Sequence, residues 1–192
     1  MQKKIYLIVA VVFISCTTYL GKSDKLIDYV DPFIGSGGHG HVFVGANVPF
    51  GGVQVGPTNF NKGWDWSSSY HHTDSIVKGF CHINVSGTGM SDLGELTIMP
   101  ATGKLMTGAG TQNNHMAGYS SLYYKDKEHA SVGYYKVHLE RYDIDVELTA
   151  TERVGLHKYR FPESDQSRII IDLGEGSADR PTETYLKKIN DT

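Results

Sequence analysis

Gly63-Trp64-Asp65-Trp66 is the run in this chain whose residue types best suit holding a sugar ring. An indole face stacks on the C–H face of a pyranose, and a neighbouring carboxylate accepts hydrogen bonds from its hydroxyls. The competing reading buries both tryptophans in the core. In an extended run the two indoles would share a face, but Gly63 and Ser67-Ser68-Ser69 flank them and predict a loop. At least one of Trp64 and Trp66 is therefore expected at a ligand site, with Asp65 beside it. A second polar run, His82-Ile83-Asn84-Val85-Ser86-Gly87-Thr88-Gly89, sets donors and acceptors between glycines. Such a loop binds a sugar or satisfies its own turns.

Other chemistries fit less well. Gly35-Ser36-Gly37-Gly38-His39-Gly40 matches G-x-G-x-x-G, but a dinucleotide site needs a helix after the glycines. Val42-Phe43-Val44-Gly45-Ala46-Asn47-Val48-Pro49 follows instead, and its pattern is not helical. These glycines are expected to serve tight turns and close backbone approach. His39, His41, His71, His72 and His82 raise the question of a metal. His-x-His on a strand would present both rings on one face, yet no acidic or cysteine third ligand stands at a recognisable spacing. They are read as hydrogen-bonding site or core residues. A Ser–His hydrolase would call for an elbow such as G-x-S-x-G, which the sequence lacks. Asp65, Asp74, Asp92 and Glu95 lie near the motifs. A glycosidase pair must stand about 6.5–9.5 Å apart for inversion or about 5–5.5 Å for retention, and sequence spacing alone selects no such pair.

The elements that must carry these loops read as β structure. Val53 and Val55 alternate with Gln54 and Gly56, and Leu96 and Ile98 with Thr97 and Met99. Further on, Tyr135, Val137 and Leu139 repeat with period two. So do Ile144, Val146, Leu148 and Ala150; then His157, Tyr159 and Phe161; then Ile169, Ile171 and Leu173. Arg141-Tyr142-Asp143 and Pro162-Glu163-Ser164-Asp165 are turn signals between them. Short strands with brief connections predict an antiparallel meander and an all-β sandwich. No sustained helical stripe, internal repeat or low-complexity region is present. Residues 108–118 read as a polar loop. The polar stretch from Gly174 onward does not read as closing a domain, so the sandwich is expected to be incomplete within this chain.

Composition sets the outer bounds. The chain has 192 residues, 40% hydrophobic and 20% charged, enough for one domain with a real core. Twelve tyrosines and 22 glycines accord with strands and tight turns. A formal net charge of −3 argues against nucleic-acid binding. Residues 1–16 read as a targeting segment: Lys3 and Lys4 precede an apolar run over residues 5–14, too short for a stable membrane span. It ends in Phe13-Ile14-Ser15-Cys16, which resembles a bacterial lipoprotein signal with Cys16 as the lipidated residue; the competing reading is a plain secretory signal cut nearby or an uncleaved anchor. Export to the periplasm or outer membrane follows, with the membrane engaged only through the lipid. Residues 17–25 form a tether, and residues 26–192 the domain. Loss of the two lysines would take the charge from −3 to −5. With Cys16 lipidated, only Cys81 remains, so no intrachain disulfide forms; Cys81 is expected to be a small buried residue.

Taken in order, the motifs resemble a known family. Asp28-Tyr29-Val30-Asp31-Pro32-Phe33-Ile34-Gly35, Gly37-Gly38-His39-Gly40-His41, Pro49-Phe50-Gly51, Gly63-Trp64-Asp65-Trp66, Ser86-Gly87-Thr88-Gly89 with Asp92-Leu93-Gly94, and Gly133-Tyr134-Tyr135 with Glu147-Leu148-Thr149-Ala150-Thr151 resemble the N-terminal part of glycoside hydrolase family 92. The family's members are exo-acting α-mannosidases. The resemblance implies a two-domain parent: this β-sandwich and a C-terminal (α/α)6 catalytic domain that lies outside the chain. It implies calcium-dependent hydrolysis of terminal α-mannose from glycans with inversion, the acid, base and most calcium ligands belonging to the C-terminal domain. Carried over to this chain, it implies a mannose-facing or domain-facing wall of His39, Gly40, His41, Trp64, Asp65, Trp66, His82, Ser86, Thr88 and Asp92, with no catalytic residue. The alternative is a stand-alone carbohydrate-binding lipoprotein without activity.

Overall fold

The computed structural model describes residues 25–87, 96–174 and 181–190. The signal with Cys16, the tether up to residue 24, and the site candidates Thr88 and Asp92 lie outside the described residues. The chain divides into two compact units, residues 1–30 and 31–192. Within the first, Leu26–Tyr29 form a 3-10 turn whose Asp28 carboxylate accepts the Lys25 backbone N–H at 3.3 Å.

The second unit is all-β. Among the described residues it contains short 3-10 turns but no α-helix, and every strand pair is antiparallel. The strands are β1 (Gly56–Thr58), β2 (Ile76–Val77), β3 (Gly79–Cys81), β4 (Thr97–Ala101), β5 (Ser121–Leu122), β6 (Glu128–Ser131), β7 (Tyr134–Leu139), β8 (Ile144–Ala150), β9 (Gly155–Arg160) and β10 (Arg168–Asp172). One four-stranded sheet has the order β1-β3-β4-β10, the other the order β6-β7-β8-β9, and β2 and β5 pair separately. The two larger sheets are the layers of an antiparallel β-sandwich, as the alternation predicts.

The meander β6–β9 follows directly from its residues. Apolar side chains recur at every second position of β7 and β8, where one pleat face packs inward. The register sets Tyr135 opposite Leu148, Val137 opposite Val146 and Leu139 opposite Ile144, so the apolar faces meet pair by pair. All six are buried, and they share one cluster with Val55, Phe80, Met99 and Ala101 around the other sheet. Burial of each such side chain contributes about 1.5–3 kcal/mol. Asp143 closes the β7–β8 hairpin at φ +52°, a left-handed conformation that Asp tolerates better than most residues.

The phase of alternation departs from simple expectation at the sheet carrying β4 and β10. Thr97 and Met99 are fully buried while Ile98 is half-buried, and Ile170 packs on the core while Ile169 and Ile171 face out. The β4–β10 register explains this, because it sets Ile170 against Met99 and Ile171 against Ile98. Cys81 is buried as expected, and it accepts a hydrogen bond from Thr58 Oγ1 at 2.9 Å and lies 3.2 Å from Thr97 Oγ1.

A polar knot sits inside the sandwich. The Glu128 side chain is almost fully buried and accepts from Tyr135 Oη at 2.7 Å, Lys125 Nζ at 2.9 Å and Tyr70 Oη at 3.0 Å. Lys125 Nζ also donates to Tyr70 and Tyr123 and lies over both rings. Burial, opposed by Glu128, pulls the Lys125 ammonium below its ordinary range. Burial first, then the neighbouring Tyr123 and the Glu128 charge, raises the Tyr70 phenol. A buried carboxylate is tolerable only with such partners.

Candidate functional site

The site is built from two loops and a short turn. The glycine loop of residues 35–42 closes on itself: Gly40 N–H donates to Gly37 O and Val42 N–H to Gly35 O, both at 3.2 Å. A side chain at Gly40 would run into the Gly35 backbone, so this position admits only glycine without rearrangement. Irregular chain leading to an isolated bridge at Ala46, not a helix, follows the glycines, as expected once a nucleotide role is set aside.

His39 and His41 lie on this loop and not on a strand. His41 sits at φ +53°, a left-handed conformation that is costly for a non-glycine residue and is held here by its surroundings. The bend brings both imidazoles to one carboxylate. His39 Nδ1 lies 2.6 Å from Asp65 Oδ1, and His41 Nε2 lies 3.6 Å from the same oxygen. The hydrogen bond from His39 leads the effects that hold the Asp65 carboxyl below its usual range.

The tryptophans separate. Trp64–Trp66 form a single 3-10 turn, which points the two indoles apart. Trp64 is 58% exposed, with the His41 ring edge-on at 4.1 Å and the His39 ring tilted at 5.6 Å. Trp66 turns inward. Its Nε1–H donates to Asp74 Oδ2 at 3.0 Å and its ring stacks on His71 at 4.2 Å. Lys62 Nζ pairs with Asp74 at 2.9 Å and lies over the Trp66 ring. Asp74 also accepts from the Ser75 and Ile76 backbone N–H groups. His71 Nε2 lies 3.3 Å from Gly38 O, so the Trp66–His71 stack braces the glycine loop from behind.

Ser86 joins the same cluster. Its hydroxyl accepts from Phe43 N–H at 3.0 Å, and Gly87 N–H donates to His41 O at 2.7 Å. His82 is engaged elsewhere. Its ring stacks on His157 of β9 at 4.7 Å, with the two Nε2 atoms 3.1 Å apart, and His157 Nδ1 lies 2.6 Å from Tyr159 Oη. Burial, reinforced by His82, lowers the His157 imidazole to about 4. Burial also lowers His82.

The structure thus gathers His39, Gly40, His41, Trp64, Asp65 and Ser86, sets Trp66 behind them, and pairs His82 with a residue that sequence reasoning did not select. Lys62 was also missed; its place two residues before Trp64 was the available signal. Asp74 serves Trp66 and Lys62, and Asp65 serves two imidazoles, so both are fixed acceptors and not free acid–base groups. Among the described residues no three His, Cys, Asp or Glu side chains gather to hold a metal ion. Calcium takes about six to eight oxygen ligands, and one carboxylate facing two imidazoles does not fit it. What the arrangement can do is present an apolar ring face beside an ionised hydrogen-bond acceptor.

A β-sandwich of this kind hosts many unrelated functions, so the fold alone does not fix the class. The comparisons narrow the class. The profile of the Glycosyl hydrolase family 92 N-terminal domain matches residues 29–192, and the chain belongs to that family. Among solved structures, a family GH92 α-mannosidase from Bacteroides thetaiotaomicron, determined with mannoimidazole, is 39% identical, with a TM-score of 0.79 over 82% of this chain and 21% of that one. A family GH92 inverting mannosidase from the same organism shares the fold at 24% identity, with a TM-score of 0.62 over 78% of this chain and 20% of that one. An uncharacterized secreted glycosidase from Arthroderma benhamiae is 26% identical over 165 residues, 77% of this chain and 20% of that protein. The chain therefore spans about a fifth of the length of these relatives.

Proposed function

We propose that this chain is the sugar-facing wall of an exported α-mannosidase acting on terminal α-linked mannose of glycans. The observation that carries the reading is the Trp64–Asp65–His39–His41 cluster. Its half-exposed indole offers a stacking face, and the neighbouring carboxylate, ionised at neutral pH, accepts from sugar hydroxyls. His41, buried beside Trp64 in a near-perpendicular ring contact, fixes the indole's orientation. The solved mannosidase relative with mannoimidazole supports mannose as the sugar, and the relative named as secreted supports export.

In this reading the acid and base of an inverting hydrolysis, and most of the calcium ligands, belong to polypeptide outside the chain. The described carboxylates near the cluster are already committed, which supports a binding role here. Lipid attachment at Cys16 is part of the same proposal. Among the described residues no helix is long and apolar enough to cross a membrane. The test is calorimetric titration of the chain with methyl α-mannoside. Trp64→Ala is expected to weaken binding about tenfold, the loss of one stacking contact of about 1–1.5 kcal/mol. Equal affinity in the variant and the parent would refute the assignment.

A further inference from the structure

Two separate pieces of chain make the cluster: the glycine loop that carries His39 and His41, and the 3-10 turn that carries Trp64 and Asp65. Their relative placement decides whether His39 meets Asp65 at 2.6 Å. One almost fully buried ring, His71, touches both pieces. The position of its proton follows from its neighbours. The Thr73 backbone N–H can only donate, and it points to His71 Nδ1 at 3.3 Å, with Thr73 Oγ1 2.8 Å from the same nitrogen. Gly38 O can only accept, and it lies 3.3 Å from Nε2. A neutral imidazole carries one ring proton, so both ends place it on Nε2. The Nε2–H therefore donates to the glycine loop immediately before His39.

The face of the same ring stacks on Trp66 at 4.2 Å and 22°, and Trp66 shares its turn with Trp64 and Asp65. The backbone at His71 is fixed in its turn. Its N–H donates to Asn59 Oδ1 at 2.9 Å, and Asn59 Nδ2 donates to Ile76 O at 2.7 Å and to Tyr123 Oη at 3.3 Å. With a donor on one side and a carbonyl on the other, that buried amide has a single orientation. The next residue, His72, donates its N–H to Ser36 O at 2.8 Å, a second tie to the glycine loop. We infer that His71 is the positioning residue of the sugar site, bonded through Nε2–H to Gly38 O and stacked on Trp66, so that the loop and the turn meet at His39 and Asp65. Its functional meaning rests on the sugar-facing reading, whereas the His39–Asp65 contact is measurable without sugar.

Two substitutions take the ring apart. His71→Gln sets an amide N–H where Nε2–H stands and keeps a planar group against Trp66; His71→Asn sets its amide at the Nδ1 position and leaves Gly38 O without that donor. The first readout is the Asp65 carboxyl, followed by carbon NMR through acid pH without ligand. In the parent it titrates below the ordinary carboxylate range, chiefly through the hydrogen bond with His39. It is expected to stay there in His71→Gln and to rise towards the ordinary range in His71→Asn, with the β6–β9 amide resonances unchanged. The second readout is calorimetry with methyl α-mannoside, where His71→Asn is expected to bind about five- to tenfold more weakly and His71→Gln within about twofold of the parent. A His71→Gln variant whose Asp65 titration shifts, a folded His71→Asn variant whose Asp65 titration does not, or an Nδ1–H tautomer for His71 in the nitrogen spectrum of the parent would each overturn the positioning role. A parent that binds no mannoside while the Asp65 titrations separate as expected would overturn the sugar reading and support the positioning role.

Discussion

Acidification should loosen this sandwich through one imidazole. His157 on β9 is packed between His82 and Tyr159, and burial lowers its pKa from 6.5 to about 4. A histidine lowered in the fold is held neutral there while the unfolded chain takes up a proton. Its stabilising contribution is therefore complete above about pH 6.5, and it is lost as the pH falls from there towards 4. Integrating proton uptake between about pH 7.5 and about pH 4.5 gives a loss of about 2.5 kcal/mol from this group. Burial also lowers His82, so stacking the two rings cannot be preserved by protonating its partner instead. The assay is urea unfolding of the parent and of His157→Gln at both pH values. The variant is expected to be less stable near neutrality but to lose about 2.5 kcal/mol less on acidification. Carboxylates such as Asp65 and Glu147, whose pKa values are lowered by His39 and by Lys158 respectively, contribute alike to both proteins and cancel. Equal losses in parent and variant would refute the reasoning.

Two further substitutions probe the interior and the loop. Glu128→Gln removes the charge that Lys125, Tyr70 and Tyr135 all address, and should cost about 2 kcal/mol by thermal unfolding, less than a fully enclosed pair because Lys125 reaches solvent. Gly40→Ala forces a side chain onto the Gly35 backbone. It should cost about 1–3 kcal/mol and abolish sugar binding while the β6–β9 amide resonances stay in place.

Much of the fold was legible because the signal is periodic. In β7 and β8 every inward residue is apolar and its neighbours are mostly polar, so period and phase are both visible. β10 has three consecutive isoleucines, and no polar residue marks which of them turn inward. Only its register with β4 decides that Ile170 is the core residue. At the site the residue types were legible, whereas their directions were not. Trp64 and Trp66 share a motif but diverge because the backbone winds into a 3-10 turn. His39 and His41 converge on Asp65 through the left-handed bend at His41, a conformation with no sequence signal in a histidine. The His82–His157 stack joins residues 75 positions apart, which only the folded sandwich brings together.

The central claim is that this chain binds a terminal mannose at Trp64 and leaves the chemistry to residues beyond it. Proton NMR of the purified chain titrated with an aryl α-mannoside reads both halves at once. The account predicts that the Trp64 indole Nε1–H resonance shifts with added ligand while the Trp66 resonance, held by Asp74, stays fixed and the glycoside remains intact. A Trp64 resonance that does not move, or the appearance of free mannose, would contradict it.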